Sequence, residues 1–276
     1  MVFPTGEHER LAAGLAGLTL GELRARSLLG RFKLPPGYPA AAARLDAGEP
    51  LQYVLGRAAF RRSEVEVGPG VLIPRPETEV VAGAAIVALE RWPGGDRLAV
   101  DLGTGSGAIA AALADEVPGA QVVAVEVSDD ALVWARRNLA PRGVRVVAGD
   151  VVALGEPNQV GGIGGASGLS DLVGKVAVVV ANPPYLPVGT QLGPGVAEHE
   201  PAVALWGGGP RGLDRPAQFL AAAARLLRPG GTVVLEHDAT QGAALRQLAT
   251  AGGLFRDSGT GVDLTGRDRY LTAIKC

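Results

Sequence analysis

From Leu98 onward, short apolar runs alternate with segments of helical period, and this repeat limits the chain to few folds. Leu98 to Leu102, Gln121 to Glu126, Val144 to Ala148, Val176 to Ala181 and Gly231 to Glu236 read as strands. Helices are predicted over Ala108 to Glu116, Asp129 to Ala140 and Leu213 to Leu227. Strands joined through helices pair in parallel and are covered on both faces, so the prediction is an α/β fold built on a parallel sheet. A helix over 240–251, a short strand near Leu254 and a last strand from Tyr270 to Lys275 close the chain. The final pair, separated by polar Gly-rich sequence, is expected to be an antiparallel edge.

Upstream, residues 7–47 read as short helices. Thr19 and Glu22 form a capping box that opens an amphipathic segment carrying Leu20, Leu23 and Leu28. Leu34-Pro35-Pro36-Gly37 breaks it, and Ala40 to Ala47 is helical again, closed by Gly48. Nothing here carries chemistry, so a packing or docking bundle is the favoured reading. Phe60 to Val67 and Val71-Leu72-Ile73, separated by Gly68-Pro69-Gly70, are expected to form a linking hairpin. Pro74-Arg75-Pro76-Glu77-Thr78-Glu79 then opens a helix running to about Arg91, with proline in its first turn and acids behind it. The expected division is a helical unit over 1–50, a hairpin linker over 51–75 and an α/β domain over 76–276. Between Leu154 and Val173 the pattern lapses, and the Gly-rich stretch 161–168 is expected to be a surface loop.

Composition removes several function classes. Formal charge is −2, from 26 basic and 28 acidic side chains, which leaves no electrostatic footprint for long nucleic acid. The only cysteine is Cys276, so an internal disulfide and a cysteine-based metal site are excluded. His8, His199 and His237 are scattered without ligand spacing, and no metal is expected. No signal-peptide core or bilayer-length apolar run is present, so a soluble cytoplasmic protein without a membrane partner is expected, monomeric by default.

Two loops carry the chemistry. Asp101-Leu102-Gly103-Thr104-Gly105-Ser106-Gly107 joins a strand to a helix, where glycines admit a ligand to the backbone and the helix start offers free N–H groups. With Ala108 it also satisfies the Gly-x-Gly-x-x-Gly/Ala form of a dinucleotide site. Glu126 ends the next strand, where a carboxylate can accept from both ribose hydroxyls, and Asp150 after the third strand is placed to meet an adenine edge. The second loop is Asn182-Pro183-Pro184-Tyr185, at the end of the apolar run Val178-Val179-Val180-Ala181. Its prolines fix φ, and Pro183 holds Asn182 extended. The Asn182 side-chain oxygen and the Pro183 carbonyl, both acceptors, can hold the two N–H bonds of a planar NH2 group, and Tyr185 offers a flat face. Such bonds favour a pyramidal nitrogen and strengthen in the transition state. The weak nucleophile then needs a strong electrophile, for which a sulfonium methyl is suited. No tuned general base is required.

These pieces resemble the S-adenosylmethionine-dependent methyltransferases. They resemble more narrowly the HemK/PrmC family of protein-glutamine methyltransferases, which act on class I peptide release factors. The resemblance runs through Glu49 to Gly56, Val71 to Glu79, Asp101 to Gly107, Asn182 to Tyr185, Glu200 to Leu205, Gly212-Leu213-Asp214 and Asp263 to Arg269. It implies a class I methyltransferase fold with a reversed last strand, a small helical N-terminal domain that docks the release factor, and a hairpin linker. It implies S-adenosylmethionine bound at Asp101, Gly103 to Gly107, Glu126, Asp150, Val151 and Asn182. It further implies the glutamine amide of a Gly-Gly-Gln loop held at Asn182, Pro183, Pro184 and Tyr185, with Arg75 and Glu77 on the substrate side. Glu126 stands where the family more commonly has Asp, and Val151 where some members carry an aromatic residue. Three alternatives share the same loops: methylation of another protein such as a ribosomal protein, of an amino group on nucleic acid, or cofactor binding without turnover. A nicotinamide dehydrogenase would leave Asn-Pro-Pro-Tyr without a task.

Overall fold

In the computed structural model, which describes residues 3–155, 169–193 and 195–276, the apolar runs lie edge to edge because most of them are buried on both faces. The chain opens with α1 (Gly6–Leu15), α2 (Leu20–Leu28), α3 (Tyr38–Asp46) and the short α4 (Leu51–Leu55). A hairpin of β1 (Arg57–Phe60) and β2 (Ser63–Glu66) leads into α5 (Pro76–Glu90). There follow β3 (Leu98–Leu102), α6 (Ala108–Glu116), β4 (Gln121–Glu126), α7 (Asp129–Leu139), β5 (Arg145–Ala148) and α8 (Val151–Gly155). The second half holds β6 (Val176–Ala181), α9 (Val196–His199), α10 (Asp214–Leu226), β7 (Leu227–Glu236), α11 (Gly242–Thr250), β8 (Phe255–Val262) and β9 (Asp268–Lys275).

Among the described residues the main sheet has seven strands in the order β5-β4-β3-β6-β7-β9-β8. The first five are parallel, and β9 runs antiparallel to both β7 and β8. This is the class I methyltransferase architecture, with its last strand reversed. Alternation along β6 shows how the sheet separates two cores. Val178 and Val180 face the layer of α5, α6, α7 and the hairpin, while Val179 and Ala181 face α8, α10 and α11. Chain order reverses between β3 and β6, the place where open α/β sheets bind ligands beyond their carboxyl ends. Leu102 pairs with Ala181, so Gly103 and Asn182 leave the sheet side by side.

Helices α1 to α4 enclose a third, small core around Leu11, Leu23, Tyr38 and Val54. The hairpin differs from the sequence expectation. Its two-residue turn is Arg61-Arg62, pairing Phe60 with Ser63, and Val71-Leu72-Ile73 is not a strand. Gly68-Pro69-Gly70 carries the stronger turn signal, yet Arg61 takes the left-handed conformation, φ 53°. Its guanidinium is fixed from both sides, by Glu116 at 2.7 and 2.8 Å and by the Glu79 carbonyl at 2.9 Å. The hairpin is also tied to the sheet's ligand end. Asn138 on α7 exchanges hydrogen bonds with the Glu66 backbone, accepting at 2.8 Å and donating at 2.9 Å, and donates to the Ser106 carbonyl at 2.8 Å. No described helix is long and apolar enough to cross a membrane. The Gly-rich stretch 161–168 lies outside the described residues.

Candidate active site

A cavity of about 260 Å3 opens over the carboxyl ends of β3, β4, β5 and β6. On one side its wall is Gly103, Thr104, Gly105 and Ser106, then Glu126, Asp150 and Val151; on the other it is Asn182 and Pro184. These nine sequence-predicted residues come together. Pro183 is buried behind the wall, and Asp101, Gly107, Tyr185, Arg75 and Glu77 support or flank it without lining it.

The 103–107 loop turns in a space that side chains would close. Gly103, Gly105 and Gly107 have φ of 67°, 57° and 85°, and a Cβ on Gly107 would stand 2.8 Å from Leu139. Thr104 fastens the turn, donating its amide to the Val125 carbonyl at 2.9 Å and its hydroxyl to Asp101 at 2.6 Å. Asp101 has no exposed surface and also accepts from the Ala110 amide at 3.2 Å, tying β3 to the first turn of α6. Burial pushes its carboxyl up to about 7, and its Oδ1 has no partner among the described residues.

Glu126 reaches back from β4 to accept the Gly105 amide at 2.8 Å, and its other oxygen accepts from Val127 and Ser128, each at 2.9 Å. Three of its roughly four lone-pair positions are thus used by backbone. Holding both ribose hydroxyls requires one of those bonds to be exchanged. Asp150 spends one oxygen on the Val152 amide at 2.8 Å, at the start of α8. Apolar walls, three positive-φ glycines and acids at successive strand ends form a cradle fitted to an adenosine-bearing ligand. No group of three or more potential metal ligands occurs among the described residues.

The acceptor loop is held from several distant parts of the chain. Asn182 donates its Nδ2 to the Thr78 hydroxyl on α5 at 3.1 Å. The Tyr185 hydroxyl donates to Glu236 at the end of β7 at 3.2 Å, and burial holds that phenol well above its ordinary pKa. Burial pushes Glu236 up to about 7, against the pull of the nearby Thr78 and Tyr185 hydroxyls and of Arg269. Gln241 donates to the carbonyls of Tyr185 at 2.8 Å, Arg211 at 2.7 Å and Gly212 at 3.3 Å. Gly207 and Gly212 let backbone lie on backbone there, since a Cβ on either would come within 2.2 Å of a carbonyl oxygen. Arg75 is paired with the buried carboxylate of Glu200, which also accepts the Ile73 amide at 3.1 Å. The pair straps the 73–75 segment to Pro201, Val203 and Ala204 on the cavity's far wall.

Thr78, Glu236 and Gln241 were not identified by the sequence analysis. Thr78 carried a usable signal, because it falls on the buried stripe of α5 with Val81, Ala82, Ala85 and Leu89. A hydroxyl on an apolar stripe asks for a partner. Glu236 ends a buried strand as Glu126 does.

Comparison with known proteins points in one direction. A family model described as a methyltransferase domain matches residues 99–163. A release factor glutamine methyltransferase of Streptomyces coelicolor is 42% identical over 279 residues, covering 99% of this chain and 91% of that protein. One of Mycolicibacterium smegmatis is 46% identical over 226 residues, covering 82% of this chain and 75% of that protein. Among solved structures, a methyltransferase from Pyrococcus furiosus aligns with a TM-score of 0.52 at 20% identity, covering 86% of this chain and 98% of that one. That last likeness is one of fold.

Proposed function

This chain belongs to the family of release factor glutamine methyltransferases, and from that premise we propose that it methylates the glutamine of the Gly-Gly-Gln loop in a class I release factor. The observation that carries the reading is the Leu102–Ala181 pairing, which starts the glycine loop and the Asn-Pro-Pro-Tyr loop side by side. S-adenosylmethionine, the methyl donor, supplies a carbon bound to positively charged sulfur, and the sulfur keeps the electron pair when that bond breaks. The chain's own residues bind, orient and exclude water. Gly103 to Ser106, Glu126, Asp150 and Val151 hold the donor, and Asp101 and Gly107 shape the loop from behind without touching it. Asn182 Oδ1 and the Pro183 carbonyl accept the two N–H bonds of the substrate carboxamide, and Pro184 and Tyr185 shape the slot around its plane.

Both acceptors act on the nitrogen as it gives up amide resonance to form the new N–C bond, so their contribution grows toward the transition state. Alignment of two bound reactants can supply roughly 7–11 kcal/mol of the barrier. The methylated nitrogen then sheds one proton, which needs no dedicated base. Arg75 and Glu77 flank the substrate side, Arg75 through its ion pair with Glu200. The protein acts in the cytoplasm as a monomer without a stable nucleic-acid partner, in keeping with its formal charge of −2. The test is methyl transfer from labelled S-adenosylmethionine to a purified class I release factor, beside a copy with that glutamine changed to alanine. Label on the first alone is expected; no label on either, with cofactor bound, would overturn the assignment of substrate.

A further inference from the structure

Three stretches singled out in the sequence, Glu49 to Gly56, Val71 to Glu79 and Glu200 to Leu205, converge on one short piece of backbone. Gly70, Val71, Leu72 and Pro74 line the cavity, as do Pro201, Val203 and Ala204. The glycine loop, Glu126 and Asn182 grow directly out of strands of the main sheet, and these two stretches do not. Val71 to Ile73 has no strand partner, so side chains hold its backbone instead. The Tyr53 hydroxyl, on α4 of the helical unit, donates to the Val71 carbonyl at 2.5 Å. Glu200 accepts the Ile73 amide at 3.1 Å with one oxygen and pairs with Arg75 through the other. Tyr53 is 3% and Glu200 6% exposed, so neither bond is open to exchange with bulk water. The helical unit also meets the segment that leads to Glu200, where a Cβ on Gly195 would stand 3.1 Å from the Gly48 carbonyl oxygen.

We propose that residues 70–74 are a strap across the donor pocket, that its opening admits and releases the donor, and that Tyr53 and Glu200 are the positioning residues that keep it shut. The inference rests on the reading of this cavity as the S-adenosylmethionine pocket. It gives the helical unit a part in donor exchange, since one of the two clasps is on α4. Tyr53, Ile73, Arg75 and Glu200 do not themselves line the cavity, so neither clasp is a contact with the donor. A bond made equally in the filled and the empty pocket shifts no binding equilibrium. It sets how often the strap opens, and therefore scales uptake and release by one common factor. A residue that touches the donor behaves differently, because its loss speeds release alone and weakens affinity.

Association and dissociation rates of S-adenosylhomocysteine are read with the full chain immobilised on a biosensor surface, and Kd separately by calorimetry. Tyr53→Phe keeps the ring and removes the donating hydroxyl, and Glu200→Gln keeps the shape and removes the charge that holds Arg75. Each is expected to raise both rates about three- to tenfold, with Kd within about twofold of wild type. Val54→Ala, beside Tyr53 but in the small helical core, loosens the unit without touching the strap. It is expected to leave both rates within about twofold. Rates unchanged in either Tyr53→Phe or Glu200→Gln overturn the inference, as does release that quickens alone, or equal acceleration in Val54→Ala. If the wild-type chain binds no S-adenosylhomocysteine, the reading of the pocket has failed instead, and a measurement without ligand still decides the strap. The Ile73 amide is expected to exchange with deuterium at least about threefold faster in Tyr53→Phe than in wild type. Equal exchange overturns it.

Discussion

The two walls of the cavity are built by opposite means. The wall proposed for the donor is the more local: Thr104 and Asp101 are three residues apart, Glu126 bonds its next two neighbours and Gly105 across 21 residues, and the longest of these side-chain links, from Asn138 to the Ser106 carbonyl, spans 32. The acceptor wall is gathered from afar. Asn182 is held by Thr78 across 104 residues, and Tyr185 by Glu236 and Gln241 across 51 and 56. A wall made of backbone turns and short links keeps its shape through its own chain geometry. A wall made of distant side chains keeps its shape only while the whole sheet and α5 are in place. Loss of tertiary order should therefore impair methyl acceptance before donor binding.

The largest effect that could break this comparison is at Asn182. Asn182→Ala is expected to lower kcat by about 10²–10³-fold while cofactor affinity stays within about twofold, checked by label transfer and calorimetry. Equal loss of both would show that the walls are not separable. Next come two glycines, one from each wall. At Gly212, φ is 65° and a Cβ would stand 2.2 Å from the Tyr185 carbonyl oxygen, so Gly212→Ala should lower Tm by about 5 °C or more and depress turnover. At Gly105, φ is 57° but a Cβ meets only Val71 at 3.9 Å. Gly105→Ala should cost only about 1–2 kcal/mol and act on cofactor affinity. Thermal melts with and without S-adenosylhomocysteine distinguish the two.

A smaller effect is expected at Glu126. Glu126→Ala should weaken cofactor binding about tenfold, leaving kcat at saturating donor within about twofold, as initial rates against donor concentration would show. The smallest is a pH effect that samples both walls. Asp101 and Glu236 are each raised by burial to about 7. A carboxyl held above its unfolded pKa binds its proton more tightly when folded. The stability it contributes is present below about pH 4 and lost as pH rises through about 7. Asp101→Asn and Glu236→Gln should each flatten part of that slope in Tm against pH, and a slope unchanged in both would remove burial as its cause.

The same contrast explains what could be read in the sequence. The donor wall was legible because its glycines and acids sit at strand ends within one contiguous alternating pattern. Asn182 to Tyr185 was legible as a loop, since two prolines after a buried strand fix a shape on their own. Its supports were not: the partnership of Thr78 with Asn182 depends on α5 lying beside β6, which no local pattern states. Arg75 illustrates the limit in another way. Its block was recognised, but pairing with Glu200 requires a contact across 125 residues. The hairpin was displaced because its positive-φ turn falls on an arginine that Glu116 immobilises, where turn chemistry predicts glycine or asparagine.

One side chain gives the molecule a thermodynamic symmetry. Asn138 holds the β2 backbone and the Ser106 carbonyl at once, so displacing the hairpin strains the loop beside the donor. Any docking event that moves the hairpin and changes donor affinity by some factor must find its own affinity changed by the same factor when donor is bound, because the two binding orders close one cycle. The donor and whatever docks on the hairpin would then be coupled through a single carboxamide, away from the atoms that react.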